Sequence, residues 1–215
     1  MGNFVVTDRV EVELAAVVKS LAVDRIFVLV DDNTAEFCLS KIDLSEYNPF
    51  VIRIKAGDEF KTIDSVISVW NVLVDNGATR SSLLINLGGG VVTDLGGFVA
   101  ATFKRGMRFV NVPTTLLGVV DAATGGKTGV NFRGLKNEIG VFAMPERVVI
   151  NPKFFETLDF RNRLSGYAEM VKHALIADPI LLEQTLGYDL DEFDMTRLAA
   201  LLRQNLQIKE NVVGA

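Results

Sequence analysis

A strand followed by three glycines and a helix constrains this chain more than any other feature. The apolar residues 83–87 predict a buried strand, Gly88, Gly89 and Gly90 follow it directly, and the apolar alternation from Val91 predicts a helix. Consecutive glycines let backbone amides and the positive end of a helix approach an anion closely. The unit therefore indicates a nucleotide site, although a tight turn required by close packing would also explain the glycines.

The same strand and helix alternation extends over the first two thirds of the chain. Strand-like runs at residues 25–30, 50–54, 83–87 and 108–112 alternate with helix-like runs, among them residues 34–41 and 63–76. Such alternation predicts an α/β fold with a mostly parallel sheet. The polar segments 31–33, 88–90 and 113–115 each follow a strand, so we expect them to meet at one edge of the sheet, where ligands bind in such folds.

The pattern changes near residue 159. Residues 161–177 and 195–213 carry helical apolar spacing, and no further strand is indicated. We therefore predict an α/β domain over residues 1–158 and the beginning of an all-helical domain over residues 159–215.

Composition excludes several classes of partner. The net charge of -5 over 215 residues argues against nucleic acid or a membrane surface, and neither an export signal nor a membrane span is indicated. The single cysteine, Cys38, permits no internal disulfide, suits a reducing cytoplasm and is given no catalytic role. We expect a cytoplasmic protein that acts on a small molecule.

The segment from residue 113 to 137 carries the most chemistry. Asp121, Lys127, Lys136 and Asn137 lie among glycines and few other charges, so two cations, an amide and a carboxylate could surround an anion. Residues 125–128 read Gly-Gly-Lys-Thr, but no upstream glycine stands at the spacing of a Walker-type ATP loop. A lysine by itself is more often a solvated surface charge, but the grouping of these two with glycines favours a site.

Taken together, the motifs resemble the 3-dehydroquinate synthase family over nearly the whole chain. The matching segments are Gly88-Gly89-Gly90-Val91-Val92-Thr93-Asp94, Lys104-Arg105-Gly106, Pro113-Thr114-Thr115, Asp121, Gly125-Gly126-Lys127-Thr128, Lys136-Asn137 and Ala168-Glu169-Met170-Val171-Lys172. The resemblance implies that residues 1–158 form a Rossmann-like NAD-binding domain and that residues 159–215 begin a helical domain for metal and substrate. It also implies an enzyme of the shikimate pathway that uses NAD and a divalent metal, zinc or cobalt, to convert a seven-carbon sugar-acid phosphate to a carbocycle and phosphate.

The resemblance also implies roles for individual residues. The implied NAD contacts are Asp31, Asn33, Asp58, Lys61, Gly89, Gly90, Val91, Asp94, Thr114, Thr115, Lys127, Lys136, Phe154 and Thr157. The implied substrate contacts are Asp121, Lys127, Asn137 and Lys172, with Arg105 reaching the substrate across the interface of a homodimer. Glu169 is the implied first ligand of the metal.

The rest of the implied metal site is not found in this sequence. The resemblance implies two histidine ligands located beyond Ala215, and the one histidine present, His173, does not match them. His173 lies four residues after Glu169 and so shares its helix face, but a structural role is the simpler interpretation. We therefore expect the 215-residue chain to bind NAD without catalysing the reaction.

Other functions stay open at this point. A metal-dependent polyol dehydrogenase shares the glycine triplet and the Pro-Thr-Thr loop, a sister sugar-phosphate cyclase would act on another seven-carbon sugar, and an isolated NAD-binding domain would not be an enzyme. Two residues also depart from the family pattern: Thr93 replaces a glycine and Ala122 replaces a serine. We expect these departures to alter the fit of the cofactor.

Overall fold

The computed structural model describes residues 3–123 and 125–213, and it is organised around one parallel sheet. These two ranges contain eight strands: β1 (Phe4–Val6), β2 (Ile26–Asp31), β3 (Phe50–Ile54), β4 (Leu83–Gly88), β5 (Arg108–Pro113), β6 (Lys127–Phe132), β7 (Leu135–Phe142) and β8 (Arg147–Ile150). Six of them form a sheet in the order β1-β8-β5-β4-β2-β3, with every neighbouring pair parallel. β6 and β7 form a separate antiparallel hairpin.

In the described residues, seven α-helices connect and cover the strands. They are α1 (Val10–Leu21), α2 (Asp32–Phe37), α3 (Ile63–Asp75), α4 (Gly90–Thr102), α5 (Phe160–Ala177), α6 (Pro179–Leu186) and α7 (Met195–Val213). The predicted α/β fold with its parallel sheet and its helical continuation is therefore confirmed. None of the helices in the described part of the chain has the length and apolar character needed to cross a bilayer.

The central strands are buried on both faces, which explains their nearly continuous apolar sequence. On β4, Leu83, Ile85 and Leu87 belong to one hydrophobic cluster, whereas Leu84 belongs to the other. The first cluster also contains residues of α1, α5, α6 and α7, and the second contains residues of α3 and α4. The helices after residue 159 thus pack against the sheet, and the division into domains at residues 158 and 159 stays a prediction.

Several helices begin at a side-chain cap. The Asp31 carboxylate accepts a hydrogen bond from the Thr34 amide at 2.8 Å at the start of α2, and Asp159 accepts one from the Asn162 amide at 2.8 Å at the start of α5. α4 differs, because Gly89 stands at its N-cap position and offers no side chain. The first amides of α4 are therefore left for a ligand or for water.

Candidate cofactor and substrate site

The three polar segments that follow β2, β4 and β5 meet at the carboxyl edge of the sheet, as predicted. They line a cavity of about 600 Å³, and Thr114 links two of them because its amide donates to the Gly88 carbonyl at 3.0 Å. The predicted cofactor residues that line this cavity are Asp31, Asn33, Asp58, Lys61, Gly89, Gly90, Val91, Asp94, Thr114, Thr115 and Thr157. The structure thus brings together most of the residues that the sequence assigned to a dinucleotide.

The glycine loop is shaped by close packing as well as by access to the cavity. A Cβ atom on Gly88 would lie 2.5 Å from the Val92 Cβ, and one on Gly89 would lie 3.0 Å from the Thr115 Cγ2. The glycines therefore allow the tight packing that one interpretation of the triplet predicted, and they also leave the amino end of α4 open to the cavity. Thr93 lies inside α4, and its hydroxyl donates to the Gly89 and Gly90 carbonyls at 3.3 Å, so helical geometry accommodates it without a glycine.

A buried lysine connects the loop helix to the hairpin. The Lys61 ammonium lies 3.0 Å from the Asp94 carboxylate and 2.5 Å from the Asn137 amide oxygen, and only 5% of Lys61 is exposed. Burial raises the pKa of Asp94 above its ordinary value, and the charge of Lys61 opposes that rise. Lys61 therefore joins a predicted cofactor residue to a predicted substrate residue.

The hairpin is also held through Asp58. The Lys136 ammonium lies 3.1 Å from the Asp58 carboxylate. The side-chain amide of Asn131 donates to that carboxylate at 3.2 Å and to the Asp58 backbone carbonyl at 3.0 Å. These contacts place residues of β6 and β7 over the end of the sheet. Lys136 thereby reaches a predicted cofactor residue although it does not itself line the first cavity.

A second cavity of about 470 Å³ adjoins the first. It is lined by Lys127, Asn137 and other hairpin residues, and it shares Asp94, Asp121 and Ala122 with the first cavity. Most of the predicted cofactor residues and the predicted substrate residues Asp121, Lys127 and Asn137 therefore line two adjacent cavities with a common wall. Ala122, where the family pattern has a serine, stands in that wall.

Asp121 lies on a π-helical turn, Gly118–Ala122, that projects into both cavities. Burial acts to raise its pKa, but a hydrogen bond and charge from Lys209, together with the charges of Lys172 and Lys127, outweigh burial and lower the pKa. Asp121 is therefore held ionised next to three cations. π-turns of this kind occur often at functional sites.

Lys209 is a site residue that the sequence did not reveal. Its ammonium on α7 donates to the Asp121 carboxylate at 3.0 Å and to the Val120 carbonyl at 3.1 Å, and its side chain is mostly buried. The contact spans 88 residues of sequence, so no local motif marks it. The only signal in the sequence is a lysine on the side of an amphipathic helix that faces the core.

Glu169 and Lys172 lie on α5 and form an ion pair. His173 is buried on the same helix, and burial, followed by the charges of Lys172 and Lys209, lowers its pKa. Within residues 3–123 and 125–213, no group of three or more His, Cys, Asp or Glu side chains is placed to hold a metal ion. Because zinc sites use three or four protein ligands, the described residues do not form a metal site on their own.

Five predicted site residues line neither of the two cavities: Arg105, Lys136, Phe154, Glu169 and Lys172. Lys136, Glu169 and Lys172 make the ion pairs described above. Arg105 follows the carboxyl end of α4, and a helix of this length, Gly90–Thr102, separates it from the glycine loop by about 20 Å. The Phe154 side chain is buried in the hydrophobic cluster that contains α1 and α5. Cys38 is buried beside the first cavity, and burial raises its thiol pKa to about 11, in keeping with the absence of a catalytic role.

Comparison with known proteins places this arrangement in a family. Residues 51–165, more than half of the chain, match the model of the 3-dehydroquinate synthase N-terminal region. The chain is 46% identical over 203 residues to a 3-dehydroquinate synthase of Parabacteroides distasonis, covering 94% of this chain and 58% of the relative. It is 41% identical to a 3-dehydroquinate synthase of Pyrococcus abyssi, covering 93% and 60%.

A solved structure shows the same architecture. The 2-epi-5-epi-valiolone synthase of Streptomyces hygroscopicus subsp. jinggangensis, solved with NAD+ and Zn2+ bound, superposes with a TM-score of 0.86 at 29% identity, covering 98% of this chain and 61% of that one. The chain therefore spans about three fifths of the length of these relatives. With the family model, the sequence relatives and the fold in agreement, this chain belongs to the 3-dehydroquinate synthase family.

Proposed function

We propose that this chain is the NAD-binding and part of the substrate-binding portion of a 3-dehydroquinate synthase. Such an enzyme converts 3-deoxy-D-arabino-heptulosonate 7-phosphate to 3-dehydroquinate and phosphate. The observation that carries the proposal is the pair of adjacent cavities that share Asp94, Asp121 and Ala122. One cavity lies at an uncapped helix start, and the other is bordered by Lys127 and Asn137.

The first cavity suits a dinucleotide. The amides of Gly89 and Gly90 at the start of α4 would hold the pyrophosphate, where the helix dipole favours negative charge. Thr114 and Thr115 line the cavity beside the glycine loop, and Asp31 lies at the end of β2, next to β4 in the sheet. NAD bound here would supply a reversible hydride acceptor for one ring hydroxyl.

The second cavity suits the phosphorylated sugar acid. Lys127, Lys172 and Lys209 surround Asp121 with positive charge, which would attract the carboxylate and phosphate of the substrate. The ionised Asp121 would accept hydrogen bonds from substrate hydroxyls, and Asn137 would offer both a donor and an acceptor. Ala122 leaves room at the junction of the cavities, where the cofactor and the substrate would meet.

NAD binding is tested directly by isothermal titration of the 215-residue chain. We expect Gly89→Val, which places a side chain against Thr115 at the mouth of the loop, to weaken NAD binding by about tenfold to a hundredfold, because charge-assisted amide contacts are lost. The control is Gly187→Ala, remote from the cavities with an ordinary negative φ of -81°. Absence of NAD binding to the unaltered chain, or equal binding by both variants, would contradict the proposal.

We infer that catalysis needs ligands that the described residues do not supply. Glu169 would provide one ligand to a zinc or cobalt ion, and a complete site needs at least two more. Phosphate release from the sugar-acid phosphate should therefore be measured with added Zn2+ for the 215-residue chain and for a longer protein of the same length as the relatives. Turnover by the shorter chain at the rate of the longer protein would refute this inference.

We also propose that Arg105 serves the site of a second copy of the chain. α4 separates Arg105 from the glycine loop of its own copy by about 20 Å, so a homodimer is needed to bring the guanidinium to a substrate. In the longer protein, Arg105→Ala and Lys127→Met should each abolish turnover, and mixing them should restore activity through hybrid dimers with one intact site. No recovery on mixing would show that Arg105 acts within its own copy or not at all.

A polyol dehydrogenase is the second candidate, because that class shares the Gly-Gly-Gly and Pro-Thr-Thr segments seen at residues 88–90 and 113–115. The two reactions differ in the fate of the cofactor. A dehydrogenase accumulates NADH with glycerol, whereas the synthase regenerates NAD in each turnover. A lasting absorbance of NADH with glycerol would favour the dehydrogenase, and phosphate release without net NADH would favour the synthase.

A further inference from the structure

Two asparagines form a buried polar pair at the centre of the sheet. Asn86 on β4 lies directly opposite Asn111 on β5, and their exposed fractions are 0% and 4%. The Asn86 side-chain amide donates to the Asn111 side-chain oxygen at 2.9 Å. The adjacent positions on the same face, Leu84 and Phe109, are apolar, so the pair interrupts an otherwise hydrophobic surface.

Further hydrogen bonds link this asparagine pair to the candidate site. The Asn111 side-chain amide donates to the Ala123 carbonyl at 3.2 Å. The Ala123 amide in turn donates to the Gly118 carbonyl at 2.8 Å, which closes the π-helical turn Gly118–Ala122. A side chain in the core of the sheet thus holds the end of the turn that carries Asp121.

Stability alone does not account for the pair. The Asn86 side-chain oxygen is buried without a hydrogen-bond partner in the described residues, and a buried orphan oxygen opposes folding. Gly96 of α4 also leaves space for this oxygen, because a Cβ at position 96 would collide with it. Two apolar side chains of similar volume would fill the space without the orphan oxygen.

We propose that Asn111 is a positioning residue that sets the conformation of the π-helical turn and thereby the location of Asp121 and Gly118 in the two cavities. Gly118 lies against the glycine loop: a Cβ there would be 3.4 Å from the Gly90 amide nitrogen. A shift of the turn therefore alters the cofactor cavity as well as the substrate cavity. This inference rests on the proposed NAD site for its effect on binding, but not for its effect on the turn.

The test compares two leucine variants of the 215-residue chain that are matched in volume and depth. Asn111→Leu removes both the bond between the asparagines and the bond to Ala123, whereas Asn86→Leu removes only the first. We expect Asn111→Leu to speed amide hydrogen exchange of residues 119–123 by about tenfold, while Asn86→Leu leaves it within about twofold. NAD affinity by titration should fall about tenfold in Asn111→Leu and stay within about twofold in Asn86→Leu.

The outcomes separate this inference from the proposed function. Unchanged exchange in Asn111→Leu, or equal acceleration in both variants, would overturn the positioning role. Failure of the unaltered chain to bind NAD would contradict the proposed cofactor site, and the exchange comparison would still decide the role of Asn111. If Asn111→Leu does not fold, Asn111→Ser, whose shorter side chain does not reach Ala123, is expected to show the same faster exchange, and normal exchange would refute the inference.

Discussion

Replacing Lys61 with methionine tests the buried charge pair at the common wall of the cavities. Methionine preserves the length and apolar stem of the side chain but removes the ammonium, so the Asp94 carboxylate, whose side chain is only 17% exposed, loses its partner at 3.0 Å. Breaking a buried ion pair by removing one partner costs about 3–5 kcal/mol. Because Asp94 keeps some contact with solvent, we expect a loss near the lower end, about 3 kcal/mol.

That loss is measurable by urea and thermal unfolding at pH 7. For a chain of this size it corresponds to a fall of about 6–12 °C in Tm. The deficit should shrink as the pH falls, because protonation of Asp94, whose pKa burial has already raised, removes the uncompensated charge. The double variant Lys61→Met with Asp94→Asn should recover at least about half of the lost stability for the same reason.

An exposed lysine provides the matched control. Lys136 pairs with Asp58 at 3.1 Å, but its side chain is 75% exposed, so Lys136→Met should change the free energy of unfolding by no more than about 0.5 kcal/mol. Equal stability of Lys61→Met and Lys136→Met, or no recovery in the double variant with Asp94→Asn, would show that burial does not raise the contribution of the Lys61–Asp94 pair to stability.

Three further predictions concern other parts of the chain. Gly166→Ala should destabilise the fold by about 2–3 kcal/mol in urea unfolding, because the new Cβ would lie 2.5 Å from the Leu117 amide nitrogen. Ser165→Ala, at the exposed neighbouring position, should be nearly neutral. Equal effects of the two variants would refute this packing argument. Cys38, buried and with a thiol pKa of about 11, should react with a disulfide reagent at pH 8 only after unfolding in urea, and rapid reaction of the native chain would contradict its burial. Burial is the main cause that lowers the pKa of His173 below 6.5, so its contribution to the free energy of unfolding should be full above about pH 6.5 and decline as the pH falls toward the lowered pKa. His173→Gln should flatten that part of the plot of unfolding free energy against pH. An unchanged slope would exclude His173 as its source.

The sequence predicted the parts of the fold that depend on local pattern. β2, β3, β4 and β5 were indicated by apolar runs, and α7 was predicted with its observed bounds, Met195–Val213. β1 has three residues, too few for a pattern, and β7 is exposed along its whole length, so neither shows the alternation of a half-buried strand. β1 is formed by pairing with the distant strand β8, which local sequence does not encode. β7 pairs with β6 directly before it in a hairpin, but its complete exposure leaves no alternating pattern to mark it.

The candidate site divides in the same way. Gly89, Gly90 and Thr114 follow strands of a parallel sheet, so topology alone predicted that they would meet. The contacts of Lys209 with Asp121 and of Lys61 with Asn137 depend on how a helix and a hairpin fold back over the sheet, across 88 and 76 residues. Such contacts are decided by tertiary packing, and no local motif in the sequence marks them.

The single ammonium of Lys61 contacts Asp94 on the cofactor side and Asn137 on the substrate side of the site, and this has a thermodynamic consequence. A molecule that competes for Asn137 changes how completely Lys61 neutralises Asp94, and a molecule that binds beside Asp94 changes how firmly Asn137 is held. Linkage requires the two effects to be equal in free energy. If the first ligand changes the affinity for the second by some factor, the second changes the affinity for the first by the same factor. Which ligand binds first then depends only on their binding rates and concentrations.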